Sequence, residues 1–144
     1  MIEIKKCLIK YIDRICEIDK SSSSYNWNKQ LFINELNFTD GNFNVLFVDN
    51  VIVGYIVYHT VIDEAEILNI VIDNKFKGQK YGTLLLKETI EKMKRVNIKT
   101  IFLEVGEKNI PAIALYKNFN FEKYNIREKY YKNGESAVLM KKIL

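Results

Sequence analysis

The apolar run Asn69-Ile70-Val71-Ile72-Asp73 feeds, through Asn74-Lys75-Phe76, into a basic segment, Lys77-Gly78-Gln79-Lys80-Tyr81-Gly82-Thr83. β-Branched residues dominate the first part, which predicts a strand over Glu66–Ile72. From about Gly82 to Arg95 the residues Leu85, Leu86, Thr89, Ile90 and Met93 recur at helical spacing. Lys92, Lys94 and Arg95 stand at the end where the helix dipole favours cations. A strand therefore runs into a glycine-containing basic loop, and the loop opens a helix. Backbone N–H groups at a helix start have no partner within the helix, and the dipole places partial positive charge there, so such a junction suits a phosphate. Glycine lets the backbone approach an anion, and Lys77 and Lys80 add charge. An ordinary solvated turn before an amphipathic helix has the same pattern. The nucleoside-triphosphate loop is excluded, because no Gly-Lys-Ser or Gly-Lys-Thr follows.

Upstream of this junction, Ile2–Ile4 reads as a short strand. Leu8–Asp19 carries Leu8, Tyr11, Ile12, Ile15 and Ile18 at helical spacing. Ser21–Ser24 is a polar break, and Trp27–Leu36 is a second helix with Trp27, Leu31, Phe32 and Leu36 on one side. Phe43–Val48 and Val51–Thr60 are strands joined by Asp49-Asn50, a hairpin signal. A turn at Ile62–Glu64 then leads to the strand at Glu66, which completes an antiparallel meander. Downstream come a strand over Thr100–Val105 and a helix over Asn109–Asn118, with Pro111 in its first turn. Asn120 suits a left-handed residue after the helix. Two strands, Phe121–Arg127 and Ala137–Lys142, close the chain around Asn133-Gly134. The predicted fold is α/β or α+β, a single mixed and mostly antiparallel sheet flanked by helices. With no repeat and no linker, one domain over residues 1–144 is expected.

Bulk properties narrow the function. Of the 144 residues, 48% are hydrophobic and 28% charged, an ordinary globular balance, and the net charge of +4 is too mild to imply nucleic acid. No run approaches the ~20 apolar residues of a membrane span and the start lacks a signal-peptide profile, so the expected location is the cytoplasm and no membrane partner is foreseen. Cys7 and Cys16 lie in apolar surroundings without paired spacing and read as buried, reduced thiols. His59 is the one histidine, which argues against a zinc site or a nucleophile triad, and no metal is expected. At a strand end it reads as a side chain with a satisfied hydrogen bond.

Two further residues can carry chemistry. In Ile101-Phe102-Leu103-Glu104-Val105, strand alternation puts Glu104 on the face of Phe102, opposite Leu103 and Val105. Partial desolvation of a carboxylate in so apolar a strand favours a general base, although a strand-end carboxylate held by hydrogen bonds has the same sequence signature. In Asn109-Ile110-Pro111-Ala112-Ile113-Ala114-Leu115-Tyr116, the residues Ala112, Leu115 and Phe119 make the packing stripe, with Tyr116 beside it. Tyr116 is either a half-buried packing residue or an acid for a departing thiolate.

These three elements, in this order, resemble the GNAT superfamily of N-acetyltransferases, and within it the bacterial enzymes that acetylate the N-terminal alanine of a ribosomal protein. The family's Gln/Arg-x-x-Gly-x-Gly/Ala loop is similar to Lys77-Gly78-Gln79-Lys80-Tyr81-Gly82. Lys77 departs at the first position, and Lys80 stands where the first glycine is usual. Leu103-Glu104-Val105 with Asn109 and Ala112-Ile113-Ala114-Leu115-Tyr116 keeps the family's spacing. The likeness extends to the Trp27 region and to Arg127-Glu128-Lys129-Tyr130-Tyr131. Ser136 departs, where the nearest relatives commonly carry Asp.

The resemblance implies acetyl-CoA as cosubstrate, held by Ile70, Val71 and Ile72 through their backbone, by Lys77, Gly78, Gln79, Lys80, Tyr81, Gly82 and Thr83 at its pyrophosphate, and by Asn109 along its arm. It implies Glu104 as proton acceptor, Tyr116 as proton donor to the thiolate, and Tyr131 beside the acceptor. The acceptor so implied is a protein N-terminus. A small amine such as a polyamine or amino sugar, or a module that binds acyl-CoA without transfer, is the alternative.

Overall fold

The computed structural model describes residues 1–23 and 25–144. The chain runs β1 (Ile2–Lys6), a short 3-10 turn (Ile9–Tyr11), α1 (Ile12–Ser22), α2 (Lys29–Asn37), β2 (Gly41–Val48), β3 (Val51–Val61) and β4 (Glu64–Ile72). A second 3-10 turn (Asn74–Phe76) leads to α3 (Tyr81–Arg95), β5 (Thr100–Gly106), α4 (Ile110–Asn118), β6 (Glu122–Arg127) and β7 (Ala137–Ile143). All seven strands form one sheet in the order β1-β2-β3-β4-β5-β7-β6, antiparallel throughout except for β4 beside β5. This is the mixed sheet with flanking helices that the sequence predicts.

Each face of the sheet carries its own core. On one, Leu85, Leu86, Ile90 and Met93 of α3 and Tyr116 of α4 pack on Leu46, Ile56, Ile67, Ile101 and Leu103. On the other, Ile12, Ile15 and Ile18 of α1 and Phe32 of α2 pack on Val45, Tyr55, Val57 and Val71. The expected hairpin forms with Asp49 (φ 50°) and Asn50 (φ 67°) both left-handed, and Asn120 (φ 66°) likewise follows α4.

Helix starts differ from the sequence reading. Leu8 is 45% exposed ahead of the 3-10 turn, and α2 begins after Trp27, where the Asn28 side chain accepts the Leu31 N–H at 2.9 Å. Leu31 faces out and Phe32 in. The Ser21–Ser24 break was placed too early, because α1 continues through Ser22, and Ser24 lies outside the described residues. Phe121 is buried just ahead of β6 rather than within it. Cys7 is buried, which pushes its thiol up to about 12, while Cys16 is only half-buried. His59 meets Glu35 Oε2 at 2.6 Å. Among the described residues, no helix is long and apolar enough to cross a membrane.

One irregularity positions everything that follows. In β4, Asn69 pairs with Val57 and Ile67 with Tyr58, which leaves Leu68 as an extra residue. Leu68 and Asn69 therefore both face α1, and a bulge of this kind bends its strand. Pairing of β4 with β5 ends at Ile67↔Leu103, immediately before the bulge. Beyond it the two strands diverge as a fork. Gly54 opposite the bent segment is required by space, since a Cβ there would lie 2.7 Å from the Val71 carbonyl oxygen.

Candidate active site

A cleft of about 800 Å³ occupies the fork, lined along one side by Glu66 to Ile72 of β4 and along the other by Glu104, Val105 and Gly106 of β5. Past Ile67 the β4 backbone groups that face β5 have no ladder partner, so main-chain N–H and C=O groups can serve a ligand there. Ile70, Val71 and Ile72 all line this stretch.

At one end the cleft meets the start of α3. Gly78 (φ 83°) and Lys80 (φ 65°) are left-handed, and Lys80 is the N-cap. Among the described residues no side chain caps this helix, in contrast to α2 and α4, whose Asn28 and Asn109 each accept a backbone N–H. The intrahelical ladder begins with the Leu84 N–H on the Lys80 carbonyl, so the amides of Tyr81, Gly82 and Thr83 remain for an outside acceptor. Lys77, Gly78, Lys80, Tyr81, Gly82 and Thr83 line the cleft. Gln79 does not. It stands exposed between two left-handed residues. The loop is held from behind. Arg14 of α1 bonds Asp73 at 2.6 Å and the Ile52 carbonyl at 3.1 Å, while the Asp73 carboxylate also accepts the Lys75 N–H. Burial of Asp73 opposes its charge, but the Lys75 amide and the Arg14 guanidinium outweigh that and hold its carboxyl below the usual range.

Further in, Glu104 and Tyr116 line the same cleft. Strand alternation buries Ile101, Leu103 and Val105 under α3 and α4 and leaves Glu104 on the other face, with its side chain 25% exposed. Its carboxylate pairs with Arg127 of β6 at 3.2 Å. Tyr116 is the most deeply buried residue of α4, more so than Ala112, Leu115 or Phe119, which the sequence pattern put in the stripe. Burial, and then the neighbouring Tyr131, push its phenol well above the ordinary tyrosine value, so its hydroxyl keeps its proton. Asn109 lines the cleft while its side-chain oxygen accepts the Ala112 N–H at 3.3 Å as cap of α4.

The end beyond Glu104 is aromatic. Tyr25 stacks on Tyr131 with ring centroids 3.9 Å apart and planes 13° apart, and Tyr130 meets Tyr131 edge-on at 5.2 Å. Trp27 also lines the cleft, its backbone N–H donated to the buried Asp19 carboxylate at 2.7 Å. Burial and the Glu104 carboxylate push Tyr131 up to about 12. Tyr131, which the resemblance puts beside the acceptor, lines this end of the cleft, as do Tyr25, Leu68 and Gly106, which sequence reasoning did not single out, and Arg127 meets Glu104. Tyr25 follows a serine run without periodicity, and the others acquire their place only from the bulge and from pairing across β7.

Known proteins match this arrangement. Residues 12–121 match the model of the acetyltransferase (GNAT) family. A Bacillus subtilis (strain 168) protein, named provisionally as a ribosomal protein bS18-alanine N-acetyltransferase, is 34% identical over 139 residues, 95% of this chain and 92% of that one. An N-alpha-acetyltransferase of Saccharolobus solfataricus is 31% identical over 142 residues, covering 90% of this chain and 85% of its own. The crystal structure of the ribosomal-protein-S18-alanine N-acetyltransferase from Escherichia coli superposes with a TM-score of 0.91 at 26% identity, over 98% of this chain and 92% of that one.

Proposed function

Because the chain belongs to the acetyltransferase (GNAT) family, we propose that it acetylates the α-amino group of a protein N-terminus by direct transfer from acetyl-CoA. The observation that carries this reading is the convergence of three features on one fork: the uncapped start of α3, the Glu104 carboxylate and the Tyr116 hydroxyl. The names of the relatives supply the class of acceptor. An aromatic-walled, open end suits an extended chain entering amine first, and a cytoplasmic setting follows from that substrate.

The residues present fit the cosubstrate. The free amides of Tyr81, Gly82 and Thr83, with Lys77 and Lys80, would hold its pyrophosphate. The unpaired edge of β4 would hold its pantetheine arm. When bound, acetyl-CoA supplies the acetyl group as an activated thioester.

The chain's own residues then handle protons and charge. Glu104 accepts a proton from the incoming ammonium, since only the free amine is a nucleophile. A backbone N–H of Ile70 or Val71 serves the negative charge that develops on the carbonyl oxygen. Tyr116, kept protonated by burial, donates to the departing sulfur. Holding amine and thioester in one cleft supplies much of the acceleration.

The test is incubation with labelled acetyl-CoA and a panel of short peptides with free N-termini, polyamines and amino sugars. Label on a peptide α-amine is the expected outcome. Transfer to polyamines or sugars alone would replace this reading with the small-amine one, and cosubstrate binding without any transfer would leave only a binding module.

A further inference from the structure

Glu135 lies in the β6–β7 connection, only 9% exposed, and each of its polar groups is engaged. Its carboxylate accepts the Tyr25 hydroxyl from the α1–α2 connection and the Lys108 N–H, at 2.7 Å, from the β5–α4 connection. Its own N–H is donated to Asn133, and its carbonyl accepts the Tyr131 N–H at 3.0 Å. Three connections that are remote in sequence therefore meet on one side chain. The donated Tyr25 hydroxyl, helped by the Lys108 amide, outweighs the opposing effect of burial and holds the carboxyl below its ordinary range. The carboxylate also packs on the strand that carries Glu104: a Cβ at Gly106 would lie 2.6 Å from Glu135 Oε1.

We propose that Glu135 is a positioning residue for the acceptor. Its buried carboxylate pins Tyr25 to the β5–α4 backbone, so that the stacked Tyr25 and Tyr131 rings stand as a fixed wall beside Glu104. The nature of the acceptor rests on the function proposed above; the clamp itself rests on these contacts alone. The wall touches the acceptor end of the cleft and not the start of α3, so its loss weakens acceptor binding selectively. Glutamine can replace the carboxylate: its carbonyl accepts the Lys108 N–H, and its amino group donates to the Tyr25 oxygen. Alanine leaves both partners without a mate.

The experiment compares Glu135→Ala, Glu135→Gln, Tyr25→Phe and the double variant Glu135→Ala/Tyr25→Phe, using the peptide the wild type acetylates best. In Glu135→Ala the KM for peptide rises about tenfold or more while the KM for acetyl-CoA stays within about twofold, the size expected when buried hydrogen-bond partners are orphaned. Glu135→Gln returns it to within about threefold of wild type. Tyr25→Phe moves it in the same direction as alanine, and the double variant is no worse than the weaker single, as for two members of one contact. An unchanged peptide KM in Glu135→Ala, an equal rise for both substrates, or additive singles would overturn the proposal. Should Glu135→Ala fail to fold, Tyr25→Phe and Glu135→Gln decide it alone. A second readout needs no acceptor: Trp27 is the sole tryptophan, lies two residues after Tyr25 and lines the same cleft, so acrylamide quenching of its fluorescence increases in Glu135→Ala and reverts in Glu135→Gln. If no peptide is acetylated, the function proposed above fails, and the quenching result judges the clamp by itself.

Discussion

Arg127, the last residue of β6, reaches across β7 to within 3.2 Å of Glu104 on β5. It passes over its own pairing partner, the small Ala137. The guanidinium is half exposed, so water screens most of the attraction and the pair contributes at most ~1 kcal/mol to folding. Its effect is on the carboxylate's orientation. Arg127→Gln is expected to leave the urea midpoint nearly unchanged while lowering kcat/KM severalfold. A large loss of stability with wild-type turnover would reverse that assignment.

Glu104→Gln removes the proposed proton acceptor while keeping shape. Turnover is expected to drop about 10²–10⁴-fold, the range usual for general acid–base catalysis, with the fold intact by circular dichroism. Turnover equal to wild type throughout the pH profile would remove Glu104 from the mechanism.

Tyr116→Phe deletes one hydroxyl from a well-packed ring. Steady-state kcat should fall, while acetyl-CoA binding by calorimetry stays close to wild type. Collapse of that affinity would reassign Tyr116 to packing.

Lys80 holds a left-handed conformation that costs a side-chain-bearing residue ~1 kcal/mol. Lys80→Gly is therefore expected to match or slightly exceed wild type in thermal stability, even though glycine is the more flexible residue when unfolded. The same change removes a cation near the proposed pyrophosphate site, so acetyl-CoA binding should weaken a few-fold at low salt and less at high salt. Tighter binding would mean that the lysine hinders the ligand.

Burial raises the phenols of Tyr25, Tyr55, Tyr58, Tyr116 and Tyr131 above their ordinary value of 10.0. A folded pKa above the unfolded one stabilises the protein fully below the unfolded value and loses that contribution as pH rises. Stability in urea should hold up to about pH 9 and decline above ~10, as unfolded tyrosines shed protons that folded ones retain. Tyrosinate absorbance near pH 11 should be smaller for the native protein than for the unfolded chain. Equal absorbance would mean the rings are accessible.

Local signals in the sequence were readable where local chemistry settles the conformation. Asp49-Asn50 and Asn120 tolerate the left-handed region, Pro111 fits a first helical turn, and the α3 stripe alternates at one period throughout. The same locality explains the errors at Leu8 and Trp27, whose apolar character fits helical spacing although capping at Asn28 and the 3-10 turn start the helices later. The bulge at Leu68 left only a trace, two adjacent apolar residues followed by Asn69, and its consequence depends on β5, more than thirty residues away. Glu104 could be named from its strand; its partner Arg127 could not, because the intervening β7 joins the sheet from the end of the chain. Gln79 fits the motif by position, yet it does not line the cleft as its neighbours on either side do.

The β4–β5 seam gives the molecule a mechanical character. Among the described residues, four ladder pairs join the β1–β4 part of the sheet to β5–β7–β6, and all lie at one end. A molecule wedged into the open end would brace both halves, as a keystone braces an arch. Saturation with CoA should then slow amide exchange in Asn69–Ile72 and Glu104–Gly106 together, and raise the melting temperature with ligand concentration.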